Sequence, residues 1–326
     1  MNILVIFTGG TIGCAPPVNG VHGLDSNKKS YYLIDRYIEK HGHGINFETT
    51  EPLNILSENI TIDTWNTLID ALKEINFDKF DGVVITHGSD TLAYTSSLVS
   101  LLLSHVKIPI AFVCANKYLL HKDSNGHKNF EDAMIFITKY KHAGTYVFYS
   151  YDLQKTAVYL GNDIKQQQPF TDKFESLRGG QFGEIKSGIF KIEDGEKLPK
   201  PTGDNKLKEI TKLEGGIAII NPYIGLDYSM FNLSGGKIKK IIHMPYHSFS
   251  FCTNASEGNL NSIEDFYNLC KKNNVELCIA PFSSKLLDKN VASYPSVKKL
   301  QNLGVRFLAD VTVETAYAML ALQAYL

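Results

Sequence analysis

The chain has no surplus of charge of either sign. Lysine and arginine number 33 against 34 for aspartate and glutamate, a formal net charge of −1. Nothing global therefore draws it onto nucleic acid or an anionic membrane, and composition argues against a polyanion-binding role. There is no C-x-x-C pair. The five cysteines, Cys14, Cys114, Cys252, Cys270 and Cys278, are odd in number and scattered. That spacing speaks against a disulfide framework or a zinc knuckle and fits a reducing compartment. A basic leader is missing too: the chain opens on Asn2–Phe7 and turns at Gly9-Gly10, too short an apolar run for a secretory signal. The longest apolar stretch, roughly residues 98–115, is interrupted by Ser104, His105, Lys107 and Pro109. It cannot cross a bilayer as one helix. The sequence shows no internal repeat and no low-complexity tract. The expectation is a cytoplasmic protein with no membrane or nucleic-acid partner.

What is present is ordinary for a folded soluble chain: 326 residues, 44% apolar and 21% charged. At about 150 residues per domain this length predicts two domains. Short runs rich in β-branched residues recur at Ile3–Phe7, Gly82–Thr86, Ile108–Cys114 and Thr145–Tyr149. Runs without polar alternation suit strands buried on both faces, hence a parallel sheet. Between them, Ile62–Ile75 and Thr91–Leu103 carry apolar residues at helical spacing. The alternation predicts a larger N-terminal α/β domain with a doubly wound parallel sheet over residues 1–192. Residues 193–214, rich in charge, Pro and Gly, read as a linker. A smaller C-terminal α/β domain over 215–326 follows, with strands at Ile217–Ile220, Lys240–Met244, Val275–Ala280 and Val305–Ala309 and helices at Ser262–Lys272 and Val311–Leu326.

Ligands in open parallel sheets sit beyond the carboxyl ends of the strands. The first strand is followed by Thr8-Gly9-Gly10-Thr11-Ile12-Gly13. Paired glycines let a backbone approach a ligand closely and offer amide N–H groups to an anion. An ordinary tight turn is the simpler reading, and neither phosphate-loop spacing is present. The strand ending at Thr86 is followed by His87-Gly88-Ser89-Asp90-Thr91. Ser89 or Asp90 can cap the next helix, their commoner use. Alternatively, Asp90 grips a substrate ammonium while the Ser89 hydroxyl relays a proton.

Taken together, Thr-Gly-Gly-Thr-Ile and His-Gly-Ser-Asp-Thr resemble the two signature motifs of the bacterial-type L-asparaginase family, with Ser89 where the family has Thr. Ser57-Glu58-Asn59 lies eight residues before Trp65, as the family's substrate-binding Ser does before its Trp. Ser124-Asn125-Gly126 with Asn129 is similar to the family's Ser-Asp-Gly-x-x-Asn. Ala309–Glu314 resembles a run of the cytosolic type I branch. The resemblance covers nearly the whole chain. It implies an amidohydrolase that converts asparagine to aspartate and ammonia through a Thr11 acyl-enzyme, without metal or cofactor. Ser89, Asp90 and a lysine would form the second catalytic group. The family places that lysine nine residues before a Phe-x-Ser segment, here Phe174-Glu175-Ser176, which selects Lys165 over Lys155. Gly10, Ser57, Glu58, Ser89 and Asp90 would bind the amino acid. The resemblance also implies a homodimer or homotetramer, with sites at a contact between the N-terminal domain of one subunit and the C-terminal domain of another.

Three departures bear on specificity. The family's loop Tyr aligns with Val21 or His22, so His22, Tyr31 and Tyr32 become candidates to meet the Thr11 hydroxyl. The wall facing the leaving amide reads Cys114-Ala115-Asn116-Lys117. A Gly-Val-Gly-Asn stretch is replaced by Tyr246-His247-Ser248-Phe249-Ser250. Two other readings fit these departures: a related amidohydrolase acting on glutamine or another small amide, and a non-catalytic amino-acid-binding protein. The segment 15–27, rich in Pro, Gly and Asn, is expected to close over the substrate. His243 and His247 are four apart, but the intervening Pro245 is incompatible with a helical metal pair. Cys114 is expected to be a buried, inert thiol.

Overall fold

The computed structural model describes residues 1–14, 24, 31–254, 258–288 and 292–325. The chain divides into two compact units, Met1–Leu213 with Tyr325, and Glu214–Ala324.

The first unit is built on an eight-stranded sheet. Its strands are β1 (Asn2–Phe7), β2 (Asn46–Thr50), β3 (Gly82–Thr86), β4 (Pro109–Val113), β5 (Gly144–Ser150) and β6 (Lys155–Leu160), with β9 (Gly183–Lys186) and β10 (Ile189–Ile192). A separate two-stranded ribbon pairs β7 (Ile164–Lys165) with β8 (Glu175–Ser176). The spatial order β10-β9-β6-β5-β4-β3-β1-β2 places β1, β3 and β4 in the interior. β3 and β4 are buried at every residue, which is why their sequences show no polar alternation. Helices α1 (Tyr32–His41), α2 (Ile62–Lys73), α3 (Leu92–Leu102) and α4 (Gly126–Ile135) belong to this unit. α2 begins with a capping box between Thr61 and Thr64.

β2, β1, β3, β4 and β5 run parallel, as the sequence predicts. The other three strands run antiparallel, a feature absent from that reading. The cause is local. Only Tyr151–Gln154 separate β5 from β6, too few residues for a crossover. Asp152 Oδ1 closes the turn by accepting from Gln154 N at 2.9 Å and Lys155 N at 3.1 Å.

The second unit is a four-stranded parallel sheet in sequence order: β11 (Ile217–Ile220), β12 (Lys240–His243), β13 (Glu276–Phe282) and β14 (Arg306–Ala309). Helices α5 (Ile263–Lys272) and α6 (Pro295–Asn302) contribute Phe266, Cys270, Val297 and Leu300 to one core. α7 (Val313–Ala321) places Ala316 and Leu320 against Ile242 and Cys278. α7 is shorter than the sequence pattern suggests. Thr312 caps it by accepting from Thr315 N, so residues 311 and 312 lie before the helix.

The stretch read as a linker lies against the first unit. Thr202 N donates to Ser104 O at 2.9 Å, and Leu207, Ile210 and Leu213 are buried. Leu213 N also donates to Asn66 Oδ1 at 2.7 Å.

Candidate functional site

Because β1, β3, β4 and β5 are parallel neighbours, the loops after them emerge at one edge of the sheet. Thr8 directly follows the first strand and donates from Oγ1 to Thr86 O at 2.6 Å, tying the first loop to the end of β3. Gly9 and Gly10 then take φ values of 98° and 78°, a region other residues enter only with strain. That conformation brings Gly10 N to Ile55 O at 2.9 Å. A Cβ on Gly10 would lie 2.3 Å from Gly88 N, and one on Gly88 would lie 2.4 Å from Ser57 Oγ. Three segments, 9–11, 55–58 and 87–90, therefore meet at distances only glycine allows.

Thr11 follows this contact and opens a single 3₁₀ turn over Thr11–Gly13, in which Gly13 N donates to Gly10 O at 2.9 Å. Its side chain is half-buried. Cys14 Sγ lies 3.5 Å from Gly10 O, and burial together with the nearby Glu58 charge pushes this thiol's pKa up. Glu58 thus stands beside the Thr11 turn.

In the second loop His87 is fully buried. Its Nδ1 is 2.7 Å from Gly88 O and its Nε2 is 3.0 Å from Thr95 Oγ1. A carbonyl only accepts, so we assign the ring proton to Nδ1 and the acceptor role to Nε2. Trp65 Nε1 donates to the same Thr95 oxygen at 3.1 Å, which leaves the Thr95 hydroxyl proton for His87. Burial lowers the His87 pKa to about 4, against the opposing Gly88 bond and Asp90 charge. With the Gly88 carbonyl held by His87, the N–H of half-buried Ser89 in the same planar peptide points the opposite way.

Asp90 Oδ2 accepts from Ser57 Oγ at 3.3 Å, and Thr91 Oγ1 donates to Ser57 O at 2.8 Å. Ser57 is buried, whereas Asp90 and Glu58 are exposed. The structure thus draws Gly10, Thr11, Ser57, Glu58, Ser89 and Asp90 into one group. Lys165 lies half-buried on β7, in register with Glu175. The turn leading to it is tied to α3, where Ser96 Oγ donates to Gly161 O at 2.8 Å. Lys155 is engaged elsewhere, with Nζ 2.9 Å from Glu184 Oε2.

The loop after β4 forms the adjoining wall. Asn129 Nδ2 donates to Cys114 O at 2.8 Å and Asn129 Oδ1 accepts from Ser150 N at 2.7 Å, stitching the ends of β4 and β5 together. Cys114 is fully buried and its thiol pKa is raised, by burial first and then by the Asp172 and Asp90 charges. Sequence reasoning misses Thr95, which lies inside the helical span Thr91–Leu103, and Asp172 and Tyr149, for which no motif exists.

Most of the segment expected to close over the site, with Val21 and His22, lies outside the described residues. Tyr31 packs edge-on to Phe7 at 5.5 Å, with its hydroxyl 3.5 Å from Thr49 Oγ1. Tyr32 is exposed at the start of α1. His243 is not paired with His247. It is buried, with Nε2 2.8 Å from the Tyr228 hydroxyl. Among the described residues no group of three His, Cys, Asp or Glu is placed to hold a metal ion, and no helix is long and apolar enough to cross a membrane.

These features define a two-unit α/β protein whose site is assembled from glycine-mediated loop contacts at strand carboxyl ends. The family model described as Asparaginase, N-terminal, matches residues 2–197, and the chain belongs to the asparaginase family. It is 35% identical over 139 residues to an L-asparaginase of Thermococcus kodakarensis, a match spanning 43% of this chain and 41% of the relative. It is 25% identical over 329 residues to a glutamyl-tRNA(Gln) amidotransferase subunit of Methanococcus vannielii, spanning 97% of this chain and 72% of the relative. The solved structure of the thermostable L-asparaginase from Thermococcus kodakarensis superposes with a TM-score of 0.74 at 23% identity, covering 100% of this chain and 93% of that one.

Proposed function

We propose that the protein hydrolyses L-asparagine to L-aspartate and ammonia. The observation that carries this reading is the joining of the Thr11 turn to the Ser57–Asp90 pair through the Gly10–Gly88 backbone contact. Thr11 Oγ attacks the side-chain amide carbon and passes its proton to the Ser89, Asp90 and Lys165 group. A Thr hydroxyl needs such activation to act as a nucleophile. Backbone N–H groups at the glycine turn and at Ser89 stabilise the oxyanion. The C–N bond breaks as the amide nitrogen takes up a proton and leaves as ammonia, which leaves an aspartyl ester on Thr11. Water attacks the ester, releasing aspartate and restoring the hydroxyl. Ser57 and Asp90, with Glu58 beside them, hold the α-carboxylate and α-ammonium.

The altered Cys114-Ala115-Asn116-Lys117 wall, and a relative named as part of an amidotransferase, favour one second reading, hydrolysis of another small amide such as glutamine. We also propose that the working form is a cytoplasmic homodimer or homotetramer, on the family resemblance and the near-neutral charge; a fully active monomer in light scattering would refute the assembly. The deciding experiment is ammonia release by the purified protein from a panel of asparagine, glutamine and related amides. Asparagine should be the best substrate, and Thr11→Ala should lower turnover by about a thousandfold or more with the fold retained. Binding without ammonia release would identify an amino-acid-binding protein instead.

A further inference from the structure

We propose that Asp172 is a positioning residue for amide hydrolysis, pinning the segment that follows Lys165 onto the carboxyl ends of β4 and β5. The proposal rests on the asparaginase reading for its catalytic consequence but not for its geometry.

Asp172 lies between β7 and β8, seven residues after Lys165. Its two carboxylate oxygens take donors from two different strand ends. Tyr149, the penultimate residue of β5, donates its hydroxyl to Oδ1. Asn116, in the loop after β4, donates Nδ2 to Oδ2 at 3.2 Å. Both donors are themselves fixed. The Tyr149 side chain is buried and its ring meets Phe174 edge-on at 5.1 Å. Asn116 is locked in a reciprocal pair: its N donates to Asn125 Oδ1 at 2.9 Å, and Asn125 N donates to Asn116 Oδ1 at 3.1 Å. Asn125 Nδ2 then reaches Ser150 O at 2.8 Å, returning to the end of β5.

The segment held this way buries little apolar surface. Residues 166 and 168–173 are exposed, and Phe170 turns its whole side chain to solvent at φ 64°. No apolar burial offsets the entropy of ordering this stretch, so a charged acceptor with two donors sets its path. Asp172 also stands at the same strand ends as Asp90, since both charges act on the buried Cys114 thiol. The clasp therefore joins the lysine-bearing ribbon to the wall that faces the departing amide. A misplacement of about 1 Å in such a site costs up to about a hundredfold in rate.

The test compares the full-length parent with Asp172→Asn, Asp172→Glu and Tyr149→Phe. Steady-state ammonia release, thermal melting and hydrogen exchange of residues 166–174 are measured on each. Asp172→Asn keeps the shape but loses the charge and one acceptor. Its kcat should fall about tenfold or more with KM within about twofold, and exchange in 166–174 should quicken. Tyr149→Phe should act in the same direction, and Asp172→Glu should recover part of kcat. A kcat within twofold of the parent in Asp172→Asn would overturn the catalytic role, as would a uniform loss explained by a lowered melting point. If the parent hydrolyses no amide, the asparaginase reading fails. Exchange still decides the pinning in that case, and unchanged protection in Asp172→Asn overturns it.

Discussion

His87 Nε2 lies 3.0 Å from Thr95 Oγ1, inside the protein and next to the loop that carries Ser89 and Asp90. That single hydroxyl serves two buried nitrogens, accepting from Trp65 Nε1 and donating to His87. Through His87 Nδ1 the chain ends on the Gly88 carbonyl, so the peptide that carries the Ser89 N–H is oriented from within α3. Thr95→Val conserves volume but removes the hydroxyl that both nitrogens use. Each unsatisfied buried group costs about 1–3 kcal/mol. The melting temperature should drop by several degrees, and kcat should fall with the peptide's orientation. Unchanged melting would show that the hydroxyl is dispensable.

Gly10→Ala tests the loop contact directly. The new methyl meets the Gly88 backbone at 2.3 Å with φ at 78°, and neither backbone can yield without parting the loops. Backbone strain of this kind costs about 1–3 kcal/mol. The variant should fold with reduced stability and lose nearly all turnover. Near-parental activity would mean that the two loops need not touch.

Lys165→Met and Lys155→Met separate the two lysines. Loss of a general-base contribution lowers the rate by about a hundredfold or more, the effect expected at Lys165. Lys155 loses only an ion pair to Glu184 at the solvent-facing side of β6 and β9, worth about 0–1 kcal/mol. Turnover by the Lys155 variant should be close to that of the parent. The opposite pattern in ammonia release would assign the base to Lys155.

Acidification should destabilise the protein before its carboxylates titrate. His87 and His243 are buried neutral, and burial lowers each pKa from 6.5 to about 4. Between those values the unfolded chain binds protons that the folded chain refuses, so stability falls as pH drops from about 6.5 towards 4. The limiting contribution is about 3 kcal/mol per histidine. Melting temperatures measured from pH 7 to 4.5 should decline, and His243→Gln should flatten the slope. A flat profile in the parent would mean that both rings accept protons while folded.

The sequence makes the strand-end logic of the site legible because glycine pairs and polar residues interrupt otherwise apolar runs. Gly9-Gly10 and His87–Asp90 stand out for that reason, and the interior strands β3 and β4 announce their burial by lacking alternation. The antiparallel edge is harder to read. β10 and the ribbon strands expose Ile189, Lys191 and Glu175. Mixed burial of that kind leaves no periodicity to detect. The Asp172 clasp is invisible for a different reason. Tyr149, Asn116 and Asp172 are far apart in sequence, and only the folded register of β4 and β5 brings them together.

The position of β1 sets a timetable for synthesis. It leaves the ribosome before both of its neighbours, Asn46–Thr50 and Gly82–Thr86. At a translation rate of about 5–20 residues per second, roughly 4 to 15 s pass between Thr11 and Gly88. Through that interval Ile3, Val5 and Phe7 have no finished sheet to enter, and the glycine turn has nothing to lean on. The Thr11 loop is made before its partners and must wait for them. A nascent chain stalled before Gly82 would present a bare apolar strand to chaperones, whereas one released past β3 would already hold the first two loops of the site together.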